Sequence, residues 1–464
     1  MKSKYKIGRA ALWCVCLVLC TFVFSAEKGA AAGSGGAGGA ENVQAEEKSQ
    51  TEKRKETLLY GLEGEVVNLI DTLIKEGEAE FLPELHNVFA SAKSTALKDK
   101  IITYYTEFKY EGLKDYTLGI LEDPYDEKKS TVILLIRYAE KLAIAEAAPF
   151  LKAIIESENE AFFESAVSAL GTIGTGEDAV FFTELFAGDL SIIQKQSIAK
   201  ALGKLKADES WDMLVEAAEN EDENTFVRMY AAEAIGNIRP EEAGAILLRL
   251  FDSTDPNLRQ YVVKGFAKNT SDEARSVLSA ALKDNHYKVR LEAVEAVKEQ
   301  KLTDAAASLL YRAKNDTEAA VKYACFDALS SFHDADGVEY MISILKEEKR
   351  GDTLKAKIAA SLLKYDVKAG VDAVTALALK TVGDDKKKNL RYALGKEFAK
   401  YENAAFESVC EAYMKSSDVA TKGTGLDIYK KNPFASLEPL VRTIADEDKA
   451  APMRAKAKAL LDTE

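Results

Sequence analysis

Histidine and cysteine are scarce in this sequence, which contains 3 His and 5 Cys among its 464 residues. His86, His286 and His333 are far apart along the chain, and so are Cys325 and Cys410. A zinc site needs three or four nitrogen or sulfur ligands that converge on one point. We therefore predict that the protein has no metal centre.

Catalytic motifs are missing as well. The sequence has no Gly-x-Ser-x-Gly elbow, Walker loop or dinucleotide fingerprint between a strand and a helix, because strand patterns are nearly absent. The glycine-rich run at 33–39 does not precede a helix pattern, as a phosphate-binding loop does. We expect a protein without catalytic activity and without a cofactor.

Positive charge is in deficit, with 62 Lys and Arg against 76 Asp and Glu and a net charge of −14. The N-terminal segment before the first acidic residue, Glu27, carries four positive charges, on Lys2, Lys4, Lys6 and Arg9. Without this segment, the net charge of the chain is −14 − 4 = −18. A surface this acidic repels phosphate backbones. Nucleic acid is therefore not expected as a partner.

The basic N-terminus is followed by an apolar run at 10–24, which predicts a signal peptide over residues 1–25 with cleavage after Ser25. We expect an exported, periplasmic protein. The apolar run is shorter than the roughly 20 residues that span a bilayer, which favours a cleaved signal peptide. The alternative is an uncleaved, signal-anchored form. Cys20 resembles the lipidated cysteine of a bacterial lipoprotein signal, although Leu19 stands where a small residue is usual. A lipid on Cys20 would tether the protein to a membrane.

Residues 26–55 contain few bulky apolar side chains and combine the glycine-rich run with a charged stretch. This composition predicts a disordered tether. Residues 56–464, in contrast, carry a repeating pattern.

The repeat is clearest at 227–238, where apolar or small residues stand at offsets 0, 4, 7, 8 and 11 from Val227. These offsets fall on one face of a helix. The pattern recurs every 31 to 34 residues, with offset 0 at positions 162, 194, 227, 258, 289, 321, 354, 386, 419 and 453. A shorter helical pattern precedes most of these positions, so the period matches a two-helix unit. We predict an all-α fold, an α-α superhelix of about twelve helix pairs, degenerate over 57–161 and regular over 162–464.

Cys325 and Cys410 lie between two and three repeats apart, beyond the roughly 7 Å Cα separation that a disulfide tolerates. Cys325 falls at offset 4, where other repeats carry Ala or Val. We expect it to be a small core residue.

The motif Val-Arg-x-x-Ala-x-x-Ala-Ile-Gly at 227–236, with an aspartate in the preceding turn, resembles HEAT repeats, in particular the short repeats of phycobilin lyases. The resemblance implies a solenoid that serves as an interaction scaffold. The His-Glu dipeptides that hold iron in HEAT-repeat hydroxylases are missing. The resemblance also implies ion pairs between successive repeats, drawn from Asp222, Asp284, Asp316, Arg228, Arg259, Arg290, Lys322 and Lys355.

Offsets 2, 6 and 9 are predicted to point away from the core, toward the concave face of the array. Apolar and aromatic side chains in a row on such a face are typical of peptide-binding grooves, although single exposed apolar residues are normal. We predict a partner-binding ridge formed by Met229, Tyr230, Gln260, Tyr261, Leu291 and Tyr323.

The sequence thus favours a non-catalytic protein–protein interaction scaffold of the cell envelope. Two alternatives stay open. One is a lyase-like HEAT-repeat enzyme that acts on a carrier protein. The other is a structural envelope component that assembles with itself through its terminal repeats.

Overall fold

The computed structural model describes residues 50–157 and 159–461. The predicted signal peptide, the possible lipid site at Cys20 and most of the predicted tether lie outside these residues. All regular secondary structure in the described ranges is helical. None of the helices there is both long enough and apolar enough to cross a bilayer.

The first half of the chain contains the helices α1 (Gln50–Tyr60), α2 (Glu63–Glu76), α3 (Leu82–Ser91), α4 (Thr95–Glu107), α5 (Lys114–Glu122), α6 (Lys129–Leu142), α7 (Ala148–Glu156), α8 (Phe163–Ile173), α9 (Gly176–Phe186), α10 (Ile192–Leu205), α11 (Trp211–Glu219) and α12 (Thr225–Ile238). The second half contains α13 (Pro240–Phe251), α14 (Pro256–Phe266), α15 (Asp272–Ala281), α16 (Tyr287–Glu299), α17 (Ala306–Asn315), α18 (Ala319–Ser331), α19 (Ala335–Lys346), α20 (Asp352–Lys364), α21 (Lys368–Thr381), α22 (Lys388–Phe398), α23 (Glu407–Met414), α24 (Val419–Lys431), α25 (Glu438–Glu447) and α26 (Ala451–Leu461). Short 3₁₀ turns lie between some of them, at Glu111–Leu113, Pro124–Asp126, Ala145–Ala147, Glu160–Phe162, Asp208–Ser210, Thr303–Ala305, Asp385–Lys387, Ala404–Phe406 and Ala435–Leu437.

Consecutive helices form antiparallel pairs that stack into an α-α superhelix, so the predicted fold class is confirmed. The 26 described helices make 26/2 = 13 pairs, one more than the approximate number expected. The even-numbered helices pack on one another as an inner layer, and the odd-numbered helices form an outer layer. The repeat pattern read from the sequence falls on the inner helices.

The extra pair lies at the N-terminus, where the apolar sequence pattern continues across the break between α1 and α2. The chain breaks between α1 and α2 because Leu62 adopts an extended conformation and caps the next helix. Its N–H donates to the Glu65 carboxylate at 2.8 Å. The helical body also begins at Gln50 rather than at residue 56, and Arg54 of α1 is buried in ion pairs with Glu76 and Glu78.

The core is built from the apolar positions that repeat along the inner helices. Val227, Ala231, Ala234, Ile235 and Ile238, at offsets 0, 4, 7, 8 and 11, are all buried. The same stripe on every inner helix joins into one apolar core along the stack. Burial of this surface is the main force that holds the repeats together.

Both cysteines of the described residues, Cys325 and Cys410, are buried as free thiols, as the sequence predicted. Burial raises the pKa of each thiol to about 12, so both stay protonated and unreactive at neutral pH.

Glycine lets the inner helices approach more closely than side chains would allow. A Cβ atom on Gly236 of α12 would overlap the backbone of Gly265 in α14. A Cβ atom on Gly265 would lie 2.8 Å from the carbonyl oxygen of Ala232. Gly171 and Gly203 make similar close contacts with the following inner helix. The inner helices therefore pack closely at these positions. A single groove extends across five of them, from α8 to α16, and marks the concave side of the stack.

The ion pairs between repeats form only in part of the array. Arg259 contacts Asp284 at 2.8 and 3.0 Å, and Arg290 contacts Asp316 at 2.7 Å through both Nε and Nη2. Arg228, in contrast, donates to the carbonyl of Ala218 at 3.1 Å. Asp222 is exposed, and Lys322 and Lys355 have no carboxylate at ion-pairing distance among the described residues. The resemblance therefore predicted the pairing correctly at two central turns only.

One ion pair joins distant ends of the array. Lys430, at the end of α24, binds Glu78, just after α2, at 2.9 Å and 352 positions away in sequence. Glu78 also binds Arg54. The superhelix thus completes one turn, and this Lys430–Glu78 contact, here called the clasp, closes it.

Candidate binding groove on the inner helices

On each central inner helix, the open face is a stripe at offsets −1, 3, 6 and 10. On α12 these positions are Phe226, Tyr230, Glu233 and Asn237, which are exposed or half-buried while most of their neighbours are buried. The spacing of four, three and four residues keeps the stripe on one side of a helix. Equivalent stripes on neighbouring inner helices form the wall of the concave groove.

The predicted ridge has to be corrected at Met229, which is only 6% exposed and cannot anchor a partner. An inner helix is flanked by a neighbour on each side, so the positions opposite its core are not all open. Offset 2 points toward the next inner helix: Gln260, at this offset on α14, donates to Glu292 of α16 at 3.2 Å. Leu291 and Tyr323 are half-buried and pack against the core. The open stripe is therefore rotated toward offset 3.

Tyr230 and Tyr261, at offset 3, are also half-buried, and they contact each other; Tyr230 lines a small cavity beside the groove. Their rings meet edge to face at 4.9 Å between centroids. The Lys264 ammonium lies 4.4 Å from the centre of the Tyr261 ring. Burial, followed by the contact with Tyr230, raises the pKa of Tyr261, so its phenol stays neutral and can donate or accept a hydrogen bond.

The groove has a volume of about 770 Å³ and extends across the inner helices from α8 to α16. A smaller cavity of about 240 Å³ adjoins it and is lined in part by Ile193 and Tyr230. The cationic side chains of the larger groove all come from α10, α14 and the residues that follow them: Lys200, Lys204, Lys206, Lys264 and Lys268. Its acidic side chains are Glu233, Glu292 and Glu299.

Most of these lysines are not neutralised by the protein itself. Lys204 contacts Glu140 at 3.4 Å and Thr172 at 3.0 Å. Within the described ranges the other four lysines, Lys200, Lys206, Lys264 and Lys268, have no carboxylate at ion-pairing distance. The groove therefore presents unpaired positive charge inside an acidic molecule.

Glu292 lies at offset 3 of α16, beside this positive charge. Burial raises the pKa of its carboxyl group, while the hydrogen bond from Gln260 and the nearby Lys264 act in the opposite direction. The net effect is a raised pKa, so the negative charge of Glu292 is held less firmly than that of an exposed glutamate.

Sequence reasoning named Tyr230 and Tyr261 but missed Ile193, Phe226 and most of the lysines. The signal was present, because offset 6 reads Lys200, Glu233 and Lys264 on three consecutive inner helices. Charged residues at such positions are ordinarily solvated, so the sequence alone does not distinguish these lysines from an exposed helix face.

No metal site emerges from the described residues. Within them, no group of three or more His, Cys, Asp or Glu side chains is close enough to hold an ion. His86 and His333 are exposed on separate repeats, and His286 is half-buried on a third.

Several solved structures are similar to this chain. Among them are YibA of Escherichia coli (TM-score 0.37, 18% identity, 56% of this chain and 96% of that chain) and the CpcE–CpcF complex of phycocyanin lyase from Nostoc sp. PCC7120 (TM-score 0.37, 16% identity, 54% and 94%). The karyopherin Kap121p bound to the extreme C-terminus of the protein phosphatase Cdc14p is another (TM-score 0.39, 13% identity, 88% and 53%). At these identities, the activities of these proteins are not carried over to this chain.

No curated protein matches the sequence. The sequence profile described as "Spirochaete HEAT repeat protein" matches residues 58–460, which is most of the chain and runs from the end of α1 into α26. With thirteen stacked helix pairs in the part that the structure describes, the chain belongs to the spirochaete HEAT repeat protein family.

Proposed function

We propose that this protein is a non-catalytic interaction scaffold of the cell envelope that binds a segment of a protein partner in the concave groove. The carrying observation is a group of open apolar side chains beside the groove. Ile193 of α10 is 57% exposed and lines the smaller cavity together with Tyr230. Phe226, which is 54% exposed, stands four residues before Tyr230 on the neighbouring inner helix α12 and so lies on the same helix face. Apolar side chains that flank a polar groove are what peptide-binding surfaces use.

The groove is also preformed. Its wall consists of α-helices whose backbones are in close contact at Gly236 and Gly265, so little conformational entropy is lost when a partner binds. A rigid helical wall is a more precise support for binding side chains than a loop is.

A photo-crosslinking amino acid tests the position of the binding site. It is placed at Phe226 on the concave side or, as a matched control, at Tyr311 on the outer helix α17, an aromatic residue of similar exposure at 58%. After irradiation of intact cells, we expect adducts at Phe226 that are absent at Tyr311. Mass spectrometry identifies the crosslinked segment of the partner. Equal labelling at the two positions would show that the concave groove is not the binding site.

The envelope location rests on the basic and apolar pattern of residues 1–25. Mass spectrometry of the mature N-terminus tests it. We expect a chain that begins at Ala26, whereas a diacylglyceryl group on Cys20 indicates a lipid-tethered form. An uncleaved, unmodified N-terminus in the cytoplasmic fraction contradicts export.

A further inference from the structure

We infer that the concave groove selects an acidic, extended protein segment that also carries an apolar side chain. This inference rests on the proposed function and adds the chemistry of the partner. It starts from a contrast of charge: the whole chain has a net charge of −14, yet the groove contains five lysines and three glutamates. Four of the five lysines have no carboxylate partner among the described residues.

The lysines are arranged in two groups. Lys200 and Lys204 lie at offsets 6 and 10 of α10. Lys264 lies at offset 6 of α14, and Lys268 lies in the turn just after that helix. The helix between them, α12, contributes Glu233 at offset 6 instead. The groove therefore has two positive groups, separated by one inner helix that carries a negative charge.

The separation of the two groups indicates the form of the segment. Neighbouring packed helices are roughly 8–10 Å apart, so α10 and α14 are separated by about 20 Å. An extended chain rises about 3.3 Å per residue and covers this distance in about six residues. A helix needs about 13 residues. A short segment with two acidic groups about six residues apart thus matches the lysines when it is extended.

The apolar part of the site lies to one side of this charge pattern. Ile193 and Phe226 are close to the N-terminal ends of α10 and α12, and Ile193 and Tyr230 share the smaller cavity beside the groove. A leucine or phenylalanine next to the first acidic group would bury apolar surface there. Charge attracts the segment, and the apolar contact sets its position.

Nucleic acid is also acidic, but the groove does not suit it. Glu233, Glu292 and Glu299 lie among the lysines and repel a continuous row of phosphates. A protein segment can place neutral or basic residues opposite them.

Fluorescence anisotropy with the purified chain tests the inference. The probes are three labelled peptides of equal length, each with one leucine: the first has two Glu-Asp pairs about six residues apart, the second has Gln-Asn pairs, and the third has Lys-Lys pairs. We expect the acidic peptide to bind at least about tenfold more tightly than the neutral one, and to weaken as salt is raised. A labelled oligothymidylate is the fourth probe.

The double variant Lys200→Gln with Lys264→Gln removes one charge from each lysine group. Its matched control is Lys346→Gln with Lys380→Gln, which removes two exposed lysines from the outer helices α19 and α21. We expect the groove variant to bind the acidic peptide at least about tenfold more weakly and the control to bind it unchanged. Equal effects of the two variants, failure of the acidic peptide to bind, or binding of oligothymidylate as tight as that of the peptide would overturn the inference.

The two proposals can fail separately. If crosslinks at Phe226 persist in the Lys200→Gln, Lys264→Gln variant with the same partner and yield, the groove is the binding site but its partner is not chosen by acidic charge. If crosslinks at Phe226 do not exceed those at Tyr311, the proposed function itself is wrong.

Discussion

Arg290 and Asp316 form the most buried ion pair among those between successive repeats. Their side chains are 7% and 0% exposed. Arg290 also donates to the carbonyl of Asp284 at 2.9 Å, and the Asp316 carboxylate accepts from the Glu318 N–H at 3.0 Å. The pair therefore fixes the turn between α17 and α18 against α16. Removal of one partner leaves the other as a buried, uncompensated charge.

We predict that Asp316→Ala lowers the free energy of local unfolding of α16 to α18 by about 3 kcal/mol, because Arg290 loses its counter-ion inside the protein. Native-state hydrogen exchange measures this region directly, which is preferable in a repeat array whose unfolding need not be two-state. Asp222→Ala is the control. Asp222 stands in the equivalent turn of an earlier repeat but is exposed, so its loss should change protection by less than about 0.5 kcal/mol.

The same pair predicts how stability depends on pH. Burial alone would raise the pKa of Asp316, but hydrogen bonds from Arg290 and from the Glu318 N–H outweigh it, and the pKa lies below its ordinary value. A carboxyl group with a lowered folded-state pKa stabilises the protein fully above its unfolded pKa, near 3.9, and loses this contribution as the pH falls toward the folded value. Protection of α16 to α18 should therefore decrease below about pH 4 in the native chain, and less steeply in Asp316→Ala.

At the scale of the helix, the contact between α12 and α14 depends on the absence of side chains. We predict that Gly236→Ala destabilises the central repeats by about 2 kcal/mol, because a Cβ atom there overlaps the Gly265 backbone. The gain in helix propensity, about 1 kcal/mol, is too small to compensate. Gly119→Ala in α5 is the control, because no atom lies within 4 Å of an added Cβ.

Thermal denaturation and hydrogen exchange of both glycine variants provide the measurement. Gly119→Ala should be neutral or stabilising by up to about 1 kcal/mol. If Gly236→Ala is as well tolerated as Gly119→Ala, the close approach of α12 and α14 does not contribute to stability.

The sequence predicted the helix pairs and their core well, because the period of Val227, Ala231 and Ala234 is a property of a single helix. It predicted the open face less well. Which side of α12 faces solvent depends on how the next repeat packs against it, and Met229 was placed on the wrong side for this reason. The break at Leu62 was missed because the apolar pattern continues across it.

At the scale of the whole molecule, the clasp between Lys430 and Glu78 joins the second helix to the twenty-fourth. The Lys430 side chain is 50% exposed, and exposed ion pairs contribute little to stability. We predict that Lys430→Gln leaves the melting temperature nearly unchanged but broadens the distribution of distances between the two ends of the turn. Spin labels at Ala79→Cys and Ala435→Cys, both exposed positions, report this distance.

Lys431→Gln is the matched control, since Lys431 is adjacent and pairs with Glu402 rather than with Glu78. It removes the same charge from the same helix end and should leave the distance distribution narrow. If the two variants behave alike, the clasp does not hold the turn closed. High salt should broaden the distance distribution as Lys430→Gln does, because salt screens an exposed ion pair.

A closed turn has a kinetic consequence for anything held inside it. A segment bound along the inner helices is encircled by the chain from α2 to α24, and if folded domains flank the segment on both sides it cannot slide out along its own axis. Its release then requires the clasp to open as well as its own contacts to break. For such a partner, salt would accelerate release even where the bound surfaces themselves carry no charge.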